Sequence, residues 1–235
     1  MPSLATRHRV PELMDDPAID PAEHRQALAG LARLNGFNGA AAALWPSIRQ
    51  LAHTLQRPIR VLDVATGSGD IPIRLFRQAQ RAKLPLEIAG CDLSPTAIAV
   101  ANDRVKQAGV PIAFFEQDVL QSALPDGFDI VTCSLFLHHL DDADAVLLLQ
   151  QMKAAARHQV LICDLSRSRW NLGLVWLASR IVSRSQVVHF DGPASVRAAF
   201  TMQEVRTLAE SAGLPGAVLK SHYPCRFLLS WTAPR

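Results

Sequence analysis

The sequence predicts an α/β fold: a doubly wound, mostly parallel seven-stranded sheet with a C-terminal antiparallel hairpin and an N-terminal helical extension. Three observations predict it. From residue 60 onward, short apolar runs alternate with helical patterns of ten or more residues, and strands separated in that way pair in parallel through crossovers. Near the end two apolar runs are joined by a turn too short for a parallel return, so they pair antiparallel. The chain of 235 residues, 49% hydrophobic, suffices for one good-sized core but not for a second full domain.

Ahead of the sheet, Asp20 is placed to cap a helix over 20–33, with Pro21 in its first turn and Glu23 completing a capping box. A second helix covers 40–55. The chain is therefore divided into an extension over 1–57 and a sheet domain over 58–235. Strand 60–64, helix 71–81, strand 87–91, helix 96–107, strand 112–116, strand 128–133, helix 142–156 and strand 159–163 follow in order. In 165–190, Trp170, Leu174, Leu177 and Ile181 recur at helical spacing among Arg167, Arg169, Arg180 and Arg184, with no acid. We read 165–200 as a lid over an apolar substrate, with Trp170 against it; a helix packed on the sheet edge is the plainer alternative, and contact with an anionic membrane surface is a further one. Thr201 and Glu204 form a capping box, Gly213 stops that helix, and strands 217–222 and 226–231 make the hairpin.

Composition narrows the function. A net charge of +3 with 19% charged residues lacks the basic stripe that phosphate backbones require, so nucleic acid is not an expected partner. No run of about 18 apolar residues occurs and the first 17 residues have no apolar signal core, which predicts no stable membrane insertion, no secretory leader and a cytoplasmic location. Cys91, Cys133, Cys163 and Cys225 have no Cys-x-x-Cys spacing, and three lie in apolar runs, so they read as buried small hydrophobes in a reducing compartment. The chain is compatible with a homodimer.

The stretch VLDVATGSGD, residues 61–70, places an acid inside a strand end and then strips the turn of side chains. Ligands of open α/β sheets settle beyond the carboxyl ends of strands. Gly67 and Gly69 let backbone approach a ligand, and the next helix presents free N–H groups that Asp70 is placed to cap. A dinucleotide turn needs a third glycine where Pro72 stands, and a phosphate loop needs Gly-Lys-Ser or Gly-Lys-Thr. Asp63 and Asp70 would also repel a pyrophosphate. They favour a cationic, hydroxyl-bearing ligand without phosphate, such as S-adenosylmethionine. Asp63 is placed for its methionine end, Asp92 in GCDLS for both ribose hydroxyls, and Asp118 in QDVL for the adenine amino group.

VLDVATGSGD, GCDLS, QDVL and FDIVTCSLFLHHLDD, in this order over 60–164, resemble the successive motifs of class I S-adenosylmethionine-dependent methyltransferases, whose sheet is Rossmann-like. The resemblance implies S-adenosyl-L-methionine as cofactor, with Ala65, Leu93, Val119 and Ser134 joining Asp63, Gly67, Gly69, Asp92 and Asp118 around it. Asp-x-Ala-x-Gly-x-Gly-Asp, with Ala65 where many members have glycine, is similar to the ubiquinone and menaquinone biosynthesis methyltransferases. RLNGFNGAAAALW, residues 33–45, resembles their Asn- and Trp-bearing helix, and HFDGPASVRAAFTMQEV resembles methyltransferases of bacterial phenolic polyketide pathways. The HHL stretch departs from the asparagine-containing version of the quinone enzymes.

Methyl transfer is an in-line displacement that needs alignment, and a base only where the nucleophile must lose a proton. His138 and His139 follow the fourth strand, where the family places its substrate, and are the candidate catalytic residues; a structural loop role is the alternative. A metal is not expected, because adjacent side chains point apart and Asp141, Asp142 and Asp144 read as a helix start. Arg197 is placed either to bind an acidic substrate group or to cover a helix start. Glu12, Asp15 and Asp16 read as a solvated turn. Together these features predict a methyltransferase acting on an apolar small molecule, by O-methylation of a phenolic or quinol-like acceptor. C-methylation of a quinone precursor, a macromolecular acceptor, and a non-catalytic cofactor-binding module are the alternatives.

Overall fold

The computed structural model describes residues 4–13 and 19–234. Seven strands form one sheet in the order β3-β2-β1-β4-β5-β7-β6. These are β1 (Ile59–Val64), β2 (Leu86–Asp92), β3 (Ala113–Glu116), β4 (Phe128–Ser134), β5 (Ala156–Leu165), β6 (Val218–His222) and β7 (Arg226–Thr232). β1 to β5 run parallel, while β7 is antiparallel to β5 and to β6. The expected doubly wound sheet and its terminal hairpin are both present. Strand order reverses between β1 and β4, which opens a crevice at their carboxyl ends.

The helices are α1 (Pro21–Asn38), α2 (Ala40–Leu55), α3 (Asp70–Arg81), α4 (Pro95–Ala108), α5 (Asp142–Ala155), α6 (Arg169–Val182), α7 (Gln186–Ala198) and α8 (Met202–Ser211). All seven residues of β4 are buried, as a central strand covered on both faces requires. Alternate strand residues serve two cores. Leu62, Val131 and Cys133 pack with Leu148, Met152 and Val205 of α5 and α8. Val61, Ile130 and Leu161 pack with Leu44, Ile48 and Leu75 of α2 and α3, so α2 lies directly on the sheet.

Local signals mostly set the ends. The Asp20 carboxylate accepts from the N–H groups of Ala22 and Glu23 at 2.8 and 3.1 Å, and Thr201 and Glu204 make the reciprocal capping box of α8. At α3 the expectation fails. Gly69 is the N-cap, in the left-handed region at φ 69, with no side-chain cap; Asp70 is the first helical residue, its oxygen accepting from the Ser68 hydroxyl at 3.3 Å. α7, inside the segment read as a lid, runs through Gly192-Pro193 without a break. Ser185 caps it, and a β-carbon on Gly192 would stand 3.2 Å from Val175, so the glycine admits α6 at close range. Packing overrides propensity there.

Candidate functional site

The strand-end acids converge on the glycine turn. Asp63 is buried, and its two oxygens accept from the hydroxyls of Thr66 at 2.8 Å and Thr132 at 2.7 Å. Thr132 is the register partner of Asp63 across β1 and β4. Burial pushes the Asp63 carboxyl up to about 7 against these hydrogen bonds, and Asp70 and Asp92 push the same way. Burial raises Asp70 too, although Arg104 and Arg74 oppose it. An acidic turn of this kind disfavours a phosphate and suits a cation.

The Gly67 N–H donates to Asp92 at 2.7 Å and the Ser94 N–H at 2.9 Å, which fixes the Asp92 carboxylate beside the turn. A β-carbon on Gly67 would meet nothing within 4 Å, whereas one on Gly69 would stand 2.7 Å from Phe114. Gly67 therefore faces open space and Gly69 serves close packing; both have positive φ. Ala65 shares this left-handed backbone at φ 52, a conformation that favours glycine. Leu93 is exposed, unusual for a large apolar side chain beside a strand end. The N–H of Leu120 donates to Asp118 at 2.9 Å, with Val119 buried next to it. The buried Ser134 hydroxyl has no hydrogen-bond partner among the described residues.

A second group forms past β4. Residues Leu137–His139 make a 3₁₀ turn. His138 is buried; its Nδ1 lies 2.6 Å from Asp164 Oδ1, its backbone N–H donates to Oδ2 at 3.2 Å, and the Leu165 N–H donates to Oδ1 at 2.6 Å. Burial alone would raise the Asp164 carboxyl, but the imidazole and these donors hold it below the usual carboxylate range. With Nδ1 on the carboxylate, Nε2 is left to face Glu12 at 3.7 Å, and His139 Nε2 faces the other Glu12 oxygen at 3.8 Å. The Ser195 hydroxyl donates to Glu12. Residues 4–13 are strapped here by Arg7, which donates to the carbonyls of His138 at 2.9 Å and Leu140 at 2.5 Å and lies over the Phe200 ring.

Several expectations need correction. Glu12 is buried against the two histidines rather than in a solvated turn; Asp15 and Asp16 lie outside the described residues. His138 and His139 do not diverge, because the tight turn brings their ring centres to 4.4 Å, tilted by 37°. With Glu12 they present ligand atoms within 4.8 Å of one another, a donor set of two nitrogens and one carboxylate that a divalent transition metal accepts. Trp170 is 83% exposed, so the expected cover over an acceptor is open to solvent at this residue. Arg197 sits in the last turn of α7, where it donates to the Pro193 carbonyl at 3.4 Å. Trp45 packs on the α2 core, and the side chains of Asn35 and Asn38 lie outside the described residues. A cleft of about 790 Å³ runs between α1, the start of α2, α3 and α4, with Arg33, Arg74, Arg77, Arg81 and Arg104 in its lining; it reaches the glycine turn through Asp70.

Asp164, Thr66 and Thr132 were missed. The signal for Asp164 was an acid ending an apolar strand in LICDL, the same one that singled out Asp63 and Asp92.

Residues 61–168 match the model of a family described as a methyltransferase domain. The match runs from β1 to Ser168, the residue that caps α6. A demethylmenaquinone methyltransferase of Thermus thermophilus is 35% identical over 91 residues, 38% of this chain and 40% of that protein. A ubiquinone biosynthesis O-methyltransferase of Sodalis glossinidius is 27% identical over 158 residues, 59% of this chain and 60% of that protein. The chain thus matches less than two thirds of the length of either relative. The crystal structure of NcsB1, an O-methyltransferase of neocarzinostatin biosynthesis in complex with S-adenosyl-L-homocysteine and 1,4-dihydroxy-2-naphthoic acid, superposes with a TM-score of 0.64 at 19% identity, covering 92% of this chain and 59% of that one. At that identity the likeness is one of fold. Among the described residues no helix is long and apolar enough to cross a membrane.

Proposed function

We propose that the chain is an S-adenosylmethionine-dependent methyltransferase that methylates an oxygen of an apolar phenolic or quinol-like small molecule. The observation that carries this reading is the buried His138–Asp164 pair, set past the same strand ends as the acidic glycine turn of a methyltransferase domain. S-adenosylmethionine supplies a methyl group already activated by its sulfonium. Asp63, Ala65, Gly67 and Gly69 hold its methionine end, Asp92 its ribose, and Leu93, Asp118, Val119 and Ser134 its adenine side. The exposed Leu93 and the unpartnered Ser134 hydroxyl are consistent with a ligand on them.

His138 acts as the general base. Asp164 accepts from Nδ1–H and so leaves the Nε2 lone pair for the acceptor hydroxyl. As that oxygen takes the methyl, its proton passes to Nε2, and the Asp164 carboxylate stabilises the imidazolium. The full burial of both groups excludes water from this transfer. Four free cysteines, three of them buried in strands, support a reducing cytoplasmic setting. A second reading, carbon methylation of a quinone precursor, draws on the identity to the demethylmenaquinone enzyme.

Calorimetric titration with S-adenosylhomocysteine, NADH and ATP tests the cofactor. Binding of the first alone is expected, weakened by about tenfold or more in Asp92→Ala with the fold intact. Binding of NADH and not of the homocysteine product would overturn the reading. Labelled methyl transfer to a panel of long-chain phenols and hydroquinones, with the product's methylated atom read by NMR, separates oxygen from carbon.

A further inference from the structure

The outward face of α6 is its apolar one. Trp170, Leu174, Leu177 and Ile181 stand at i, i+4, i+7 and i+11, which places them within an arc of about 60° on a helix of 3.6 residues per turn. They are 83, 40, 51 and 74% exposed, while the inward face is built on Val175 and Ser179. Trp176 and Phe190 extend the exposed apolar surface. This inverts the usual arrangement, in which the apolar stripe faces the core.

Charge decides what covers it. Arg169, Arg180 and Arg184 are exposed beside the stripe, and 165–190 contains no acid. Arg180 lies 4.1 Å from the centre of the Trp176 ring, so cation and aromatic share one border. A second copy docking by the same face would set three arginines against three more with no acid from the segment between them. An anionic lipid surface offers phosphates to the arginines, an acyl boundary to the aliphatic side chains, and a headgroup layer in which tryptophan is favoured. At 14 residues α6 is too short to span a bilayer and suits lying in its plane.

We propose that α6 docks this protein onto anionic lipid bilayers, with Trp170, Leu177 and Ile181 in the headgroup–acyl boundary and Arg169, Arg180 and Arg184 on lipid phosphates. The docking does not depend on the identity of the methyl acceptor. Co-sedimentation of the full chain with vesicles of phosphatidylglycerol and phosphatidylcholine tests it, with pure phosphatidylcholine vesicles as control. Binding to the anionic vesicles, weakening as salt rises, with a blue shift of tryptophan emission, is expected. Leu177→Glu/Ile181→Glu and Arg180→Glu/Arg184→Glu should each weaken it by about tenfold or more, with unchanged thermal melting and S-adenosylhomocysteine binding. Absence of wild-type binding, equal binding to both vesicle types, or full binding by either variant would overturn the proposal. So would a wild-type dimer in sedimentation velocity that Leu177→Glu/Ile181→Glu dissolves, since a second copy would then own the face.

Discussion

His138 Nδ1 lies 2.6 Å from the buried Asp164 carboxylate, joining the turn after β4 to the end of β5. One carboxylate fixes both the ring and the backbone N–H of the same histidine, so the proposed base is set in place by the sheet. His138→Gln should lower kcat by about 10²–10⁴-fold, the usual share of a general base, and leave S-adenosylhomocysteine affinity unchanged. Its residual rate should climb with pH toward about 10, where a phenol ionises unaided. Asp164→Asn should lower kcat in the same direction. A matching loss of cofactor binding in both variants would assign the pair to the fold instead.

Asp63 gives a pH dependence of opposite sign to that of an ordinary carboxylate. Burial raises it from 3.8 to about 7, so its contribution to stability is full below about 3.8 and is lost as pH rises through about 7. The ammonium of the ligand's amino-acid end favours the ionised form. Thermal stability of the free protein should therefore decline over this window, while S-adenosylhomocysteine binding tightens between pH 6 and 8. Asp63→Asn should flatten both curves; a wild-type binding curve already flat across pH 7 would remove Asp63 from the ligand's surroundings.

The fold was legible because it is written in periodicity. Apolar runs such as VLDV and FDIVTCS, separated by helical stretches, fixed β1 and β4 and through them the crevice between. The turn acids were legible because an ionisable group at the end of a buried strand has no packing role. What escaped depends on contacts distant in sequence. Glu12 is drawn in by Ser195 and two histidines more than 120 residues away, and α7 is helical around Gly192-Pro193 because α6 packs on it. The convergence of His138 and His139 is a matter of turn geometry, which the dipeptide does not encode.

Ala65 holds φ 52 without being glycine. The left-handed region costs a non-glycine residue about 1–2 kcal/mol, against about 0.4–1 kcal/mol for the extra freedom glycine has in the unfolded chain. Ala65→Gly should leave the melting temperature unchanged or raise it by a few degrees. Ala65→Val, β-branched at the same φ, should lower it and weaken S-adenosylhomocysteine binding together. Tolerance of valine would mean that the turn relaxes out of this conformation.

The Glu12–His138–His139 cluster makes a final prediction about metals. Its donor atoms lie close enough for one divalent ion, yet the proposed methyl transfer from a sulfonium requires no Lewis acid, and a base at His138 Nε2 works only with its lone pair free. Zinc on that nitrogen removes the base. Dialysis against EDTA should therefore leave methyl transfer unchanged, and added Zn²⁺ should inhibit it. Because His139 supplies a ligand to the ion and no proton transfer, His139→Ala should weaken zinc inhibition by about tenfold or more while keeping the zinc-free rate within about twofold. The opposite pattern, activity lost on chelation and restored by Zn²⁺, would make the cluster a catalytic metal centre and displace His138 as the base.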